Sequence, residues 1–344
     1  MDEPRPSPQP PSPVAEDTRR AYLDLLKLAL CDLVAPETET VEMTESGAVR
    51  RVLSGGELER RIAGKEWPLQ GLSMCGYPRL ADLQRCVETV VTDGIEGDLI
   101  EAGVWRGGAS ILARATLDTL GDGERTVWLA DSFQGLPPPD AEGFPEDRDM
   151  DLHEIDFLAV SQADVHANFA RLGLDHGVRF VEGFFNETLP GLRGWRWALI
   201  RLDADMYEST WETLESLYPG LAQGGYVIFD DYGDIEEGRR AMDDFRRERG
   251  ISTPLEWVDH TCVRWRKEER AEEIADGHPE RHRQSPARVQ RPSGPLIRTE
   301  REVELQHQVK LLRARIEELE GELRPLFGGV RARLRNRRGR ASPP

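Results

Sequence analysis

From residue 98 onward, short apolar runs alternate with stretches whose apolar residues recur at helical spacing. The runs at 98–102, 126–131, 178–182, 197–203 and 226–230 predict buried strands, and 110–120, 155–172 and 209–217 predict helices. Five such strands alternating with helices imply an α/β fold, doubly wound, with a mostly parallel sheet covered on both faces. Ligands of such sheets bind at the carboxyl ends of the strands. Residues 255–266 read as one or two antiparallel edge strands. On the N-terminal side, 20–34 and 80–91 predict amphipathic helices outside the sheet, and 36–70 reads as loop with a short helix. The Pro-, Gly- and acid-rich stretch 136–156 fits either a lid over a substrate or a plain surface loop.

The pattern also bounds the chain's parts. Residues 1–16 are polar and proline-rich, which predicts disorder, and 17–96 form an N-terminal helical region and cap on a core at 97–267. A charged, proline-punctuated linker follows at 268–297. Within 298–324, Leu305, Val309, Leu312, Ile316, Leu319 and Leu323 make a heptad seam, which suits either a coiled coil joining two copies or one amphipathic helix docked on the body. The segment 325–344 is a basic tail; from Arg324 to the end all seven charged residues are arginines.

Charge and cysteine usage narrow the function. The 344 residues carry a net charge of −18 even with that tail, so the body is strongly acidic and is not expected to bind nucleic acid. Four scattered cysteines without a CxxC pair predict free thiols in a reducing cytoplasm. No run of about 18 apolar residues occurs, so neither a transmembrane helix nor a signal peptide is expected.

Candidate chemistry collects at the strand ends. The segment 97–110, GDLIEAGVWRGGAS, reads as a strand, a glycine-rich turn and a helix start, where missing Cβ atoms let backbone approach a ligand. Glu101 there suits a cationic ligand, and S-adenosylmethionine (SAM) carries both an ammonium and a sulfonium. The second strand ends at Asp131, whose position and two oxygens suit a ribose diol. The fourth ends in Asp203-Ala204-Asp205 and the fifth in Asp230-Asp231. Strand alternation puts Asp203 and Asp205 on one side. Up to four converging carboxylates need a cation, and an all-oxygen set selects a hard ion such as Mg²⁺. A divalent ion chelating two adjacent hydroxyls stabilises an alkoxide while Asp205 takes the proton; His260 is the other candidate base.

Several longer stretches then match a known pattern in order: AYLDLLKLAL, RLADLQRCVETV, GDLIEAGVWRGGASI, ADSFQGLP, VEGFFNETLP, the run from IRLDADMYES to VIFDDYG, and WVDHTCVRWRK. Over about residues 20–267 the chain resembles the macrocin O-methyltransferase family, SAM- and Mg²⁺-dependent enzymes that methylate deoxysugar hydroxyls of antibiotics. The resemblance implies a seven-stranded class I methyltransferase fold. It assigns Glu101, Gly103, Trp105, Arg106 and Gly107 to the methionine part of SAM, Asp131 and Ser132 to the ribose, and Gly183 and Phe184 to the adenine side. It puts the metal on Asp203, Asp230 and Asp231 and makes Asp205 the base. The expected acceptor is a small glycoside or glycan, and the expected assembly a homo-oligomer. Two competing readings are methylation of a phenolic or catechol hydroxyl, and a non-catalytic SAM-binding scaffold assembling through its C-terminal helix.

Overall fold

The computed structural model describes residues 13–268, apart from 36, 45 and 46. The expectations for 1–12, for most of the linker, for the heptad helix and for the basic tail lie outside the described residues. In chain order the elements begin with α1 (Pro13–Leu30), β1 (Glu37–Thr44), β2 (Gly47–Ser54), α2 (Leu58–Ile62), β3 (Trp67–Pro68) and α3 (Gly76–Thr92). The core continues through β4 (Asp98–Ala102), α4 (Gly108–Thr119), β5 (Val127–Asp131), α5 (Gln162–Arg171), β6 (Val178–Glu182) and α6 (Phe185–Thr188). It ends with β7 (Trp197–Leu202), α7 (Tyr207–Leu217), β8 (Leu221–Phe229), α8 (Glu236–Glu248), β9 (Glu256–Trp257) and β10 (Val263–Arg266).

Seven strands form the main sheet in the order β6-β5-β4-β7-β8-β10-β9. β6, β5, β4, β7 and β8 pair in parallel, and β10 runs antiparallel to both β8 and β9. Strands buried on both faces read as continuous apolar runs, and β7 (WALIRL) is buried at all six positions. Its one charged residue, Arg201, is only 4% exposed. Trp128, Trp197, Phe229 and Trp265 of the sheet pack with Leu214 of α7 and Met242 and Phe245 of α8 into one apolar cluster. Chain direction out of β4 switches sides between β5 and β7, so the crevice above β4 is where this topology opens a ligand site.

Three elements depart from the sequence reading. Residues 37–54, expected as loop, form a β1–β2 hairpin paired from Glu37↔Ser54 to Thr44↔Gly47. Its buried positions include Thr38 and Thr40 beside Val41 and Leu53, while Val49 and Val52 are exposed, so no clean apolar alternation marks the strands. Arg61 ties the hairpin base to the body: its guanidinium donates to Glu39 O (2.9 Å), Thr38 Oγ1 (3.0 Å) and Cys31 O (3.3 Å). The helix expected from 155 starts at Gln162 instead, because Ser161 caps it by accepting the Asp164 N–H (3.2 Å) and 156–158 makes a separate 3₁₀ turn. Helix α8 had no counterpart in the sequence reading, since EEGRRAMDDFRRE buries only Gly238, Ala241, Met242 and Phe245.

Candidate active site

The turn after β4 is built around Gly103. Its φ is +85°, and a Cβ there would stand 1.8 Å from the Asp203 carbonyl oxygen, so no other residue fits without parting β4 from β7. Gly107, at φ +87°, opens α4 where a Cβ would press on Val165 at 2.9 Å. Asp131 closes the turn from the neighbouring strand: one carboxylate oxygen accepts the Val104 N–H (2.7 Å) and the other the Phe133 N–H (2.8 Å). Burial pushes the Asp131 pKa up, and these amides pull it back. Ser132 donates to Gly135 O (2.6 Å), and the Gly183 N–H donates to Asp131 O (2.9 Å), which brings Phe184 to the same rim.

A cavity of about 390 Å³ opens over these residues, within the size range of small-molecule sites. Gly103, Trp105, Asp131, Ser132 and Phe184 line it on one side, and Asp203 and Asp205 on the other. Seven of the thirteen expected site residues therefore share one cavity. The others sit behind it. Glu101 is buried and accepts from the Ser110 hydroxyl and from Arg201 Nη1 (2.6 Å). Burial pushes its pKa up to about 7 against the pull of Arg201 and Ser110. Arg106 spends its guanidinium on Leu69 O and Gly71 O (both 2.9 Å) and stacks on the Trp105 ring at 4.2 Å. It thereby fastens the N-terminal segment to the turn. Gly107 and Gly183 shape backbone without lining the cavity.

The acidic ends of β7 and β8 fall into two overlapping groups, Asp203–Asp205–Asp231 and Cys75–Asp203–Asp230. Carboxylate oxygens of Asp203, Asp205 and Asp231 all lie within 4.8 Å of one another. Asp230 faces the other way, into ion pairs with Arg79 and with Arg201 (2.8 Å), although its carboxylate still approaches that of Asp203 within the same limit. Asp203 keeps one such partner, Arg201 at 3.0 Å. Asp205 sits at φ +55° and accepts no hydrogen bond from the described residues, and Asp231 Oδ2 is buried with no hydrogen-bond partner among them. Burial comes first, and crowding by Asp203 and Asp230 second, in pushing Asp205 up to about 7. Burial, followed by Asp203 and Asp205, raises Asp231 well above its ordinary value. Three crowded carboxylates with an orphaned oxygen are costly unless a cation joins them, and an all-oxygen donor set fits a hard divalent ion.

His260 does not line the cavity; it stands between Asp259 (3.5 Å) and Asp234 (3.7 Å). Asp259 in turn accepts from Arg79 (2.9 Å) and from the Thr261 and Cys262 amides. Burial raises its pKa, but His260, Arg79 and the amides outweigh that and hold it near 2, below the ordinary 3.8. A folded pKa below the unfolded one stabilises above about pH 4 and loses that contribution as pH falls toward 2. Asp259→Asn is thus expected to cost about 2 kcal/mol at pH 7 by urea denaturation, with the gap to wild type narrowing by about half at pH 3.

The loop 136–158 roofs the cavity with Leu136, Pro137 and Leu158. It is pinned by Asp147, fully buried, whose two carboxylate oxygens accept the Tyr207 (2.7 Å) and Glu208 (2.9 Å) amides at the start of α7. Asp147→Ala is expected to lower stability by about 1–2 kcal/mol, as for a lost helix cap, and to raise the acceptor KM; thermal unfolding and steady-state kinetics check both. Sequence reasoning missed Asp147, because nothing local marks a residue that caps a helix 60 positions away. It also missed Arg201 and Arg79, although an arginine inside the apolar run of β7 was a visible signal.

A parallel sheet with β10 slotted antiparallel beside β8, a glycine turn after the central strand and an acid ending the next define the class: a SAM-dependent methyltransferase of the class I fold. The sequence model of the family described as Macrocin-O-methyltransferase (TylF) matches residues 19–267. Over 255 residues the chain is 46% identical to the 8-demethyl-8-(2,3-dimethoxy-alpha-L-rhamnosyl)-tetracenomycin-C 4'-O-methyltransferase of Streptomyces olivaceus, covering 74% of this chain and 95% of that one. Over 252 residues it is 40% identical to the mycinamicin III 3''-O-methyltransferase of Micromonospora griseorubida, covering 72% and 96%. The solved structure of the O-methyltransferase NovP aligns with a TM-score of 0.66 at 38% identity, over 73% of this chain and all of that one. The chain belongs to the macrocin O-methyltransferase family. Among the described residues no helix is long and apolar enough to cross a membrane.

Proposed function

We propose that this enzyme transfers the methyl group of SAM to a sugar hydroxyl of a glycosylated natural product, assisted by Mg²⁺. The observation that carries this reading is the Asp203–Asp205–Asp231 cluster, two of whose members line the same cavity as the glycine turn. The relatives named above support the acceptor class, since one is named for a rhamnosyl-bearing tetracenomycin and another for O-methylation of mycinamicin III.

Asp203 and Asp231 are the residues to hold the cation. Asp230 could join only by exchanging its arginines, which gives it a supporting part behind the site. When bound, the ion would stabilise the negative charge that develops on the attacking hydroxyl oxygen. Asp205, without a hydrogen-bond partner among the described residues and lining the cavity, takes the hydroxyl proton; a pKa of about 7 suits a base at neutral pH. The oxygen then forms its bond to the methyl carbon as the carbon–sulfur bond breaks and its electron pair returns to sulfur, leaving S-adenosylhomocysteine. Such an in-line step depends on alignment more than on any single charge.

At the cofactor end, Gly103 lets backbone approach the methionine part. Asp131 lines the cavity beside Ser132, where its carboxylate can accept from the ribose diol. Trp105 and Phe184 supply apolar walls. Glu101, Arg106, Gly107 and Gly183 support the cofactor from behind by fixing the turn. The test is methyl transfer from labelled SAM onto a panel of glycosides and their aglycones, with Mg²⁺ present. Label is expected on glycosides alone; label on a phenolic aglycone would sink the sugar reading.

A further inference from the structure

The methyl-transfer chemistry leaves one wall of the cavity unused. Besides Asp131, Asp203 and Asp205, the lining contains Asp140, Glu187, Glu208 and Glu212, and no lysine, arginine or histidine. SAM brings a net charge of +1 and a magnesium ion +2, enough to meet the carboxylates at the reacting end. The outer carboxylates have no such answer. Glu208 and Glu212 lie one turn apart on α7, and like charges at that spacing disfavour a helix. Neither carboxylate has an ion-pair or hydrogen-bond partner among the described residues. Burial first, then Glu208 and Glu215, push Glu212 up to about 7, while burial and Asp140 raise Glu208.

A second observation comes from Ser209, which sits between them in sequence. It is only 7% exposed, it lines the cavity, and its hydroxyl has no hydrogen-bond partner among the described residues. A hydroxyl on a buried residue that opens on the cavity without a protein partner is free to pair with a ligand there. Asp140 belongs to the roof loop that Asp147 pins to the start of α7, so both sides of this subsite are held by one brace.

We propose that Glu208 and Glu212, with the Ser209 hydroxyl, form a subsite for a protonated amine, so that the acceptor is a glycoside bearing a basic amino sugar. The proposal rests on the sugar O-methyltransferase reading. The amine donates to the two carboxylates and accepts nothing; Ser209 receives one of its remaining N–H groups. A neutral sugar offers no charge to this wall and leaves two glutamates desolvated without compensation.

The test uses the full-length enzyme with SAM and MgCl₂ and a set of p-nitrophenyl aminodeoxyhexosides, each paired with its own N-acetyl derivative. S-adenosylhomocysteine release gives kcat/KM for both members. A charge-assisted hydrogen bond predicts a preference for the free amine of about ten- to a hundred-fold, expressed in KM rather than kcat. The double variant E208Q/E212Q preserves side-chain shape at partly exposed positions and is expected to shrink that preference to about threefold or less. Equal or better turnover of the N-acetyl members overturns the proposal and leaves the sugar reading intact. A preference that survives the double variant also overturns it. No turnover of either member of any pair overturns the sugar reading and the proposal together.

Discussion

Asp205→Asn is expected to lower single-turnover methyl transfer by about 10²- to 10⁴-fold while leaving SAM affinity within about twofold. Three observations set that expectation. Asp205 lines the cavity, it has no hydrogen-bond partner among the described residues, and its backbone sits at φ +55°. Asparagine has nearly the same shape and is among the residues that enter the left-handed region most readily, so the turn between β7 and α7 should survive. Only the proton acceptor is lost. Rapid-quench kinetics with labelled SAM, alongside calorimetric SAM titration, separate the two effects. A variant with near-normal single-turnover rate would remove Asp205 as base. A variant that no longer binds SAM would mean the residue shapes the pocket instead.

The second large effect is expected from chelation. Treatment with EDTA followed by desalting should bring turnover down to background, and Mg²⁺ should restore it. Asp231→Asn should then raise the Mg²⁺ concentration needed for half-maximal rate by about tenfold or more, because it removes the carboxylate whose Oδ2 is buried and unpartnered. Asp230→Asn separates the two acidic neighbours. With Asp230 turned to Arg79 and Arg201, its loss is expected to lower folding stability more than Mg²⁺ affinity. Turnover unchanged in enzyme shown by elemental analysis to be free of divalent metal would end the metal reading. An Asp230→Asn variant with normal stability but lost Mg²⁺ response would restore Asp230 to the ligand set.

The parts that sequence made legible are those with local physical causes. Short apolar runs announced β4, β5 and β7 because these strands are covered on both faces, and the glycines at 103 and 107 marked positions where φ must be positive. The placing of Asp203 and Asp205 on one side followed from strand alternation, and the fold brings their carboxylates together. The same alternation, applied to Asp230 and Asp231, would have separated them: adjacent residues at the end of β8 turn opposite ways, one toward the arginines and one toward the cluster. The β1–β2 hairpin stayed hidden because threonines fill two of its buried positions, 38 and 40, while the apolar Val49 and Val52 are exposed. Asp147 and the Arg79–Asp259 pair stayed hidden because their partners lie 60 and 180 positions away.

The arginines beneath the acidic cluster have a consequence for how the enzyme is handled. Arg201 alone touches Glu101, Asp203 and Asp230, and Arg79 shares Asp230. Positive charge is therefore wired permanently into the floor of the site, whatever occupies its mouth. On the proposed reading the cation is an exchangeable reagent, and these buried ion pairs offset part of the cost of its removal. Stripped enzyme should melt within a few degrees of loaded enzyme, keep through storage, and regain its rate on mixing with no refolding step.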